Sequence, residues 1–128
     1  MVTSWAPQVE ILGHGSIGGF LSHCGWSSTL ESVVNGVPLI AWPLFADERM
    51  NAKLLTDVLK VVVRPKVDDE TGIIKREEVA KALKRIMEGD DSFEIRKKIK
   101  ELSVGAETVL SEHGSSRKAL STLASKWQ

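Results

Sequence analysis

A chain of 128 residues with 42% hydrophobic content can bury the core of one domain, and is too short for two ordinary ones. Its 17 basic and 17 acidic residues cancel, which removes the field that would gather nucleic acid or an acidic membrane surface. The single cysteine, Cys24, excludes an internal disulfide and a Cys-rich metal framework, and fits a reducing, cytoplasmic setting.

A short helical pattern runs from Gln8 to Leu12 and ends at Gly13. Gly18 to Ser22 reads as a short buried strand that stops at His23. From Ser27 to Asn35 the apolar positions Leu30, Val33 and Val34 fall on one helix face, and Asn35-Gly36 followed by Pro38 ends it. Pro38 to Trp42 is a near-continuous apolar run of strand length, as in a parallel strand covered on both faces. Met50, Leu54, Leu55 and Val58 mark the next helix stripe, and the β-branched run Val61, Val62, Val63 predicts a third strand. After an acidic loop at Asp68 to Gly72, Val79, Leu83, Ile86 and Met87 mark a helix closed by Gly89. Ile95, Ile99, Leu102, Ala106, Val109 and Leu110 hold helical spacing up to His113-Gly114. Ser115 or Ser116 can cap a final helix with the stripe Leu120, Leu123 and Trp127.

Strands alternating with helices predict an α/β domain with a parallel sheet, followed by a helical tail over about residues 75–127. Three strands make a thin sheet, so a partner or further strands are expected to complete it. No apolar run approaches the roughly 20 residues of a membrane helix, and Met1 to Ala6 lacks the pattern of a signal peptide. Neither a membrane nor a nucleic acid is expected as a partner.

Ligands of open α/β sheets sit at the carboxyl ends of the strands, where His23 to Ser28 lies. The backbone N–H groups of a helix starting near Ser27 form an anion site, and Gly25 permits close approach. His23, Ser27 and Ser28 could then donate to phosphate oxygens. Ser28-x-x-Glu31 is equally a capping box, His23 a satisfied core histidine, and Cys24 a small buried hydrophobe. Asp47 and Glu48 open a helix, where the dipole favours acids, yet carboxylates there can also accept hydrogen bonds from sugar hydroxyls. Trp5 is either core or a stacking platform for a base.

The stretch Gly13 to Gly18, "GHGSIG", spells a dinucleotide fingerprint but follows a helix and precedes a strand, the reverse of what that motif requires. His14 and His23 have no acidic companions at ligand spacing, so no metal is expected. The basic run Arg96, Lys97, Lys98, Lys100 reads as a solvated face.

From Trp5 to Glu48, "WAPQVEILGHGSIGGFLSHCGWSSTLESVVNGVPLIAWPLFADE" resembles the signature box of the plant family 1 UDP-sugar-dependent glycosyltransferases that act on small secondary metabolites. The resemblance implies that residues 1–128 belong to the C-terminal, Rossmann-like, UDP-sugar-binding domain of a two-domain GT-B enzyme. It implies that Trp5 stacks on uracil, with the backbone of Ala6 at the base edge. Gln8 and Glu31 would hold the ribose hydroxyls, and His23, Trp26, Ser27 and Ser28 would surround the diphosphate. Asp47 and Glu48 would contact the transferred hexose. The reaction implied is inverting transfer from UDP-glucose, or a related UDP-sugar, to a hydroxyl of a small phenolic acceptor. No catalytic residue of this chain is implied, because the family's histidine base lies in the N-terminal half, and no cofactor or metal is implied.

Two departures stand out. Ser27 replaces the family's usual Asn after H-C-G-W, and Glu48 replaces the usual Gln at the end of the box. A non-catalytic UDP-binding or interaction fragment is the alternative reading.

Overall fold

A computed structural model describes residues 4–127. A five-residue helix, α1 (Gln8–Leu12), leads into strand β1 (Phe20–Ser22), helix α2 (Trp26–Val34) and strand β2 (Leu39–Ala41). Helix α3 (Glu48–Lys53) continues as a π-helical segment, Leu54–Leu59, into strand β3 (Val62–Val63). Helices α4 (Arg76–Glu88), α5 (Ser92–Leu110) and α6 (Ser115–Ser125) follow. All strands are parallel in the order β1-β2-β3, with Phe20 opposite Leu39 and Leu39 opposite Val62. Each crossover carries a helix, as parallel pairing requires.

Strand residues point alternately to opposite faces, and β2 divides the core accordingly. Leu39 and Ala41 pack with Cys24, Ala52, Leu55, Val61, Val62 and Ile99. Ile40 packs with Val63, Ala82, Ile86 and Ile95. Helix α5 closes both sides, Ile99 on one and Ile95 on the other. Both faces of β2 and β3 are therefore covered, which is why they read as continuous apolar runs, whereas β1, expected to be buried, leaves Leu21 exposed.

The strands are shorter than expected, each at its N-terminal end, where Gly18, Gly19, Pro38 and Val61 lie outside the ladder, and β2 also loses Trp42 at the other end. Larger differences concern helix faces. In α2 the buried residues are Thr29 and Ser32, whereas Leu30 and Val34 of the expected stripe are exposed. Hydroxyl groups bond to carbonyls there: Ser103 Oγ of α5 donates to the Val34 carbonyl at 2.8 Å, and Ser32 Oγ donates to Val37 O, just past the helix, at 2.6 Å. In the helix after β2, Leu55 alone of the expected stripe is buried, joined by Asn51 and Ala52, while Met50 and Val58 face outward. Ala82 and Ile86 form the inner face of α4, with Leu83 and Met87 outside.

Gly114, not Ser115 or Ser116, is the N-cap of α6. No residue of that helix is buried, and Trp127 is 83% exposed. Arg96 is no solvated charge: its Nη2 donates to the carbonyls of Gly18 at 3.2 Å and Ile86 at 3.3 Å, tying α5 to the approach into β1. Among the described residues no helix is long and apolar enough to cross a membrane.

Candidate functional site at the strand ends

Two loops meet at the carboxyl ends of β1 and β2. The first, His23–Gly25, turns through Cys24 at φ 68°, a left-handed conformation uncommon for a residue with a side chain. Cys24 is fully buried, its N–H donates to Ser22 Oγ at 3.1 Å, and its carbonyl accepts from Asn51 Nδ2 at 3.0 Å. Burial pushes its thiol pKa up, so the side chain is the packed hydrophobe rather than a reactive thiolate. His23 is exposed, not a core histidine. A Cβ on Gly25 would stand 2.3 Å from His23 Nε2, so the glycine clears the space that the imidazole fills.

Helix α2 begins at Trp26 with Gly25 as N-cap and no side-chain cap. Its first-turn N–H groups are thus left for an anion beside His23, Ser27 and Ser28. The expected capping box does not form. Instead Gln8 Nε2, brought from α1, donates to Ser28 Oγ at 3.1 Å and to Glu31 Oε2 at 2.7 Å. Trp5, Ala6, Pro7, Gln8 and Glu31 line an open concavity of ≈ 370 Å³. Trp5 is 90% exposed, so among the described residues it packs into no core and its ring face is free.

The second loop, Trp42–Asp47, also contains a left-handed residue, Ala46 at φ 52°. Glu48 secures this loop: its Oε2 accepts the N–H groups of Leu44 at 2.8 Å and Phe45 at 3.0 Å. Those two N–H groups, Phe45 first, hold its carboxyl below the usual glutamate range, and His23 across the gap adds to the effect. Glu48 is 6% exposed, so at least one of its oxygens works inside the protein rather than toward a ligand. Asp47 is exposed, and its Oδ2 accepts from Asn51 Nδ2 at 3.2 Å.

Gln8 thus joins α1 to Ser28 and Glu31 of α2, and Asn51 joins the loop after β1 to Asp47 in the loop after β2. The model of the UDP-glucoronosyl and UDP-glucosyl transferase family matches residues 1–104. This chain belongs to that family. Hydroquinone glucosyltransferase of Rauvolfia serpentina is 59% identical over the whole chain, which covers 27% of that relative. UGT2 of Phytolacca americana, solved with UDP-2fluoro-glucose and pterostilbene, superposes with a TM-score of 0.93 at 55% identity, over 97% of this chain and 28% of that one. Os79 from O. sativa in complex with UDP gives a TM-score of 0.92 at 40% identity, over 97% of this chain and 27% of that one. The fold is therefore that of part of a GT-B UDP-glycosyltransferase, and the chain spans about a quarter of the length of the curated relatives it matches.

One buried residue joining these two loops escaped the sequence reading. Asn51 lies beyond the box and touches both loops. Its signal was present in the spacing Asp47-x-x-x-Asn51, which puts the two side chains on one helix face. Among the described residues no group of three His, Cys, Asp or Glu is placed to hold a metal.

Proposed function

We propose that this chain forms the donor-binding site of an inverting UDP-glycosyltransferase that transfers a hexose, glucose, to a hydroxyl of a small phenolic acceptor. The observation that carries the reading is Gln8 held between Ser28 and Glu31 beside the free face of Trp5. A base stacks on Trp5 over the backbone of Ala6, and the ribose diol meets Glu31 and Gln8. The diphosphate lies at the N-terminus of α2 against His23, Trp26, Ser27 and Ser28, and Asp47 takes a sugar hydroxyl, with Glu48 behind it.

In the transfer, an acceptor oxygen attacks the anomeric carbon opposite the bond to UDP. That bond breaks with its electron pair going to the diphosphate, and the acceptor proton passes to a base outside these residues. The uncapped N–H groups of α2 and the His23 imidazole stabilise the charge growing on the leaving diphosphate, a term that is often large in catalysis. By this reading the chain binds donor but transfers nothing alone, since a general base must lie within reach of the acceptor proton.

Titration of the purified chain with UDP and UDP-glucose, followed by tryptophan fluorescence and amide chemical shifts, tests the reading. Saturable binding that perturbs Trp5, His23 and Glu31 is expected. Glu31→Ala should weaken it by about tenfold or more, the usual loss for a hydrogen bond to a charged group. A folded chain that binds neither ligand overturns the donor-site reading, and glucose transfer to a phenol by the chain alone overturns the assignment of the base. The second reading, a non-catalytic interaction fragment, is favoured by one observation, the exposed stripe Leu120, Leu123 and Trp127.

A further inference from the structure

The groups assigned to the diphosphate and to the sugar stand on different loops, after β1 and after β2, and each loop contains a left-handed residue, Cys24 and Ala46. Asn51 is the side chain that joins them. It lies in α3, one turn after Asp47, and is 6% exposed. The two hydrogens of its Nδ2 are divided, one toward the Cys24 carbonyl at 3.0 Å and one toward Asp47 Oδ2 at 3.2 Å. The Cys24 peptide unit precedes Gly25, the N-cap of α2, so its orientation sets where the first-turn N–H groups point. Ser22 Oγ holds the N–H of the same residue at 3.1 Å, and Asn51 holds its carbonyl, so both ends of an unfavourable turn are pinned. At the other end, the bond to Oδ2 fixes the Asp47 carboxylate and leaves Oδ1 for a ligand hydroxyl.

We propose that Asn51 is a positioning residue that locks the diphosphate loop and the sugar-facing carboxylate of Asp47 into one unit, so that recognition of the sugar depends on it although it touches no ligand. The proposal rests on the donor-site reading above. Only an amide fits the position. An aspartate would set a charge against Asp47 and leave the Cys24 carbonyl unpaired, and an alanine would release both loops.

The test is the affinity of UDP and of UDP-glucose, measured by calorimetry, for the wild-type chain, Asn51→Ala, Asn51→Asp, Asp47→Ala and the double variant Asp47→Ala with Asn51→Ala. Thermal unfolding of each identifies the folded variants, and Asn51→Asp, nearest in size, keeps the test open if Asn51→Ala does not fold. Either Asn51 variant should lower the preference for UDP-glucose over UDP by about tenfold and weaken UDP itself severalfold. Asp47→Ala should lower the preference alone, and adding Asn51→Ala to it should lower the preference no further, because the second change acts through the first. A preference indifferent to Asn51, or losses that multiply in the double variant, overturns the proposal while leaving the donor site standing. A folded wild-type chain that binds neither ligand sinks the donor-site reading and this proposal together.

Discussion

Between His23 and Trp26 each residue has a separate physical task. Cys24 takes the left-handed turn and fills the core, Gly25 clears the imidazole, and Trp26 starts the helix whose N–H groups remain free. Glu48 has the corresponding task in the second loop, and its charge makes that task depend on pH. Its folded-state pKa lies below the ordinary value of about 4.3, so its ionised form stabilises the fold above that pH. The contribution is lost as pH falls through the folded-state value. Glu48→Gln keeps an oxygen for Leu44 and Phe45 but removes the charge, so it should be less stable than wild type at neutral pH. Urea unfolding followed down to about pH 3 should show that difference shrinking, because protonation makes the two side chains alike. A difference that stays constant or grows toward acid would show that the carboxylate is not ionised in this loop.

At the scale of the element, α2 shows which part of the fold is legible in sequence. Strands announce themselves because both faces are apolar, and Leu39 to Ala41 and Val62-Val63 lie where their β-branched and aliphatic runs put them. Helix existence was equally legible, but the inward face was not, because α2 buries Thr29 and Ser32 rather than aliphatic side chains and is bonded to α5 through Ser103. Small hydroxyl residues permit close approach and bond to carbonyls, so a hydrophobic stripe points to the wrong side. The candidate site divides the same way: Trp5, His23, Glu31 and Asp47 can be singled out by type, whereas Asn51, a plain helix residue by type, needed the fold to bring Cys24 beside it. Two hydroxyls of α2 make a matched test. Thr29 Oγ1 is buried without a hydrogen-bond partner among the described residues, whereas Ser32 Oγ donates at 2.6 Å. Thr29→Val removes an unpaired polar atom at nearly constant volume and should stabilise by about 0.5–1 kcal/mol. Ser32→Ala strands the Val37 carbonyl and should cost about 1–2 kcal/mol. Urea midpoints at unchanged slope measure both, and equal signs for the pair would contradict this account of how α2 is buried.

For the whole molecule, the deciding feature is what the fold leaves uncovered. Helix α6 presents Leu120 and Leu123, and Trp127, expected on the same stripe, follows two residues beyond its end at Ser125; all three are exposed. Among the described residues β1 has β2 on one side only, and Leu21 on it is 46% exposed. Both are surfaces on which a second chain can dock, but they differ in mechanism. The helix offers apolar area, and the strand offers unpaired backbone groups. With three large apolar side chains against a strand of three residues, the helix contributes more buried area and should dominate. The purified chain is therefore expected to associate as its concentration rises, and Leu120→Glu with Leu123→Glu should return it to a monomer by sedimentation velocity. Trp5→Ala should leave the association unchanged, because Trp5 belongs to the concavity around Gln8. Association that survives the α6 charges would transfer the assignment to the β1 edge, and association abolished by Trp5→Ala would place the contact over the proposed donor site, where UDP should then compete with it.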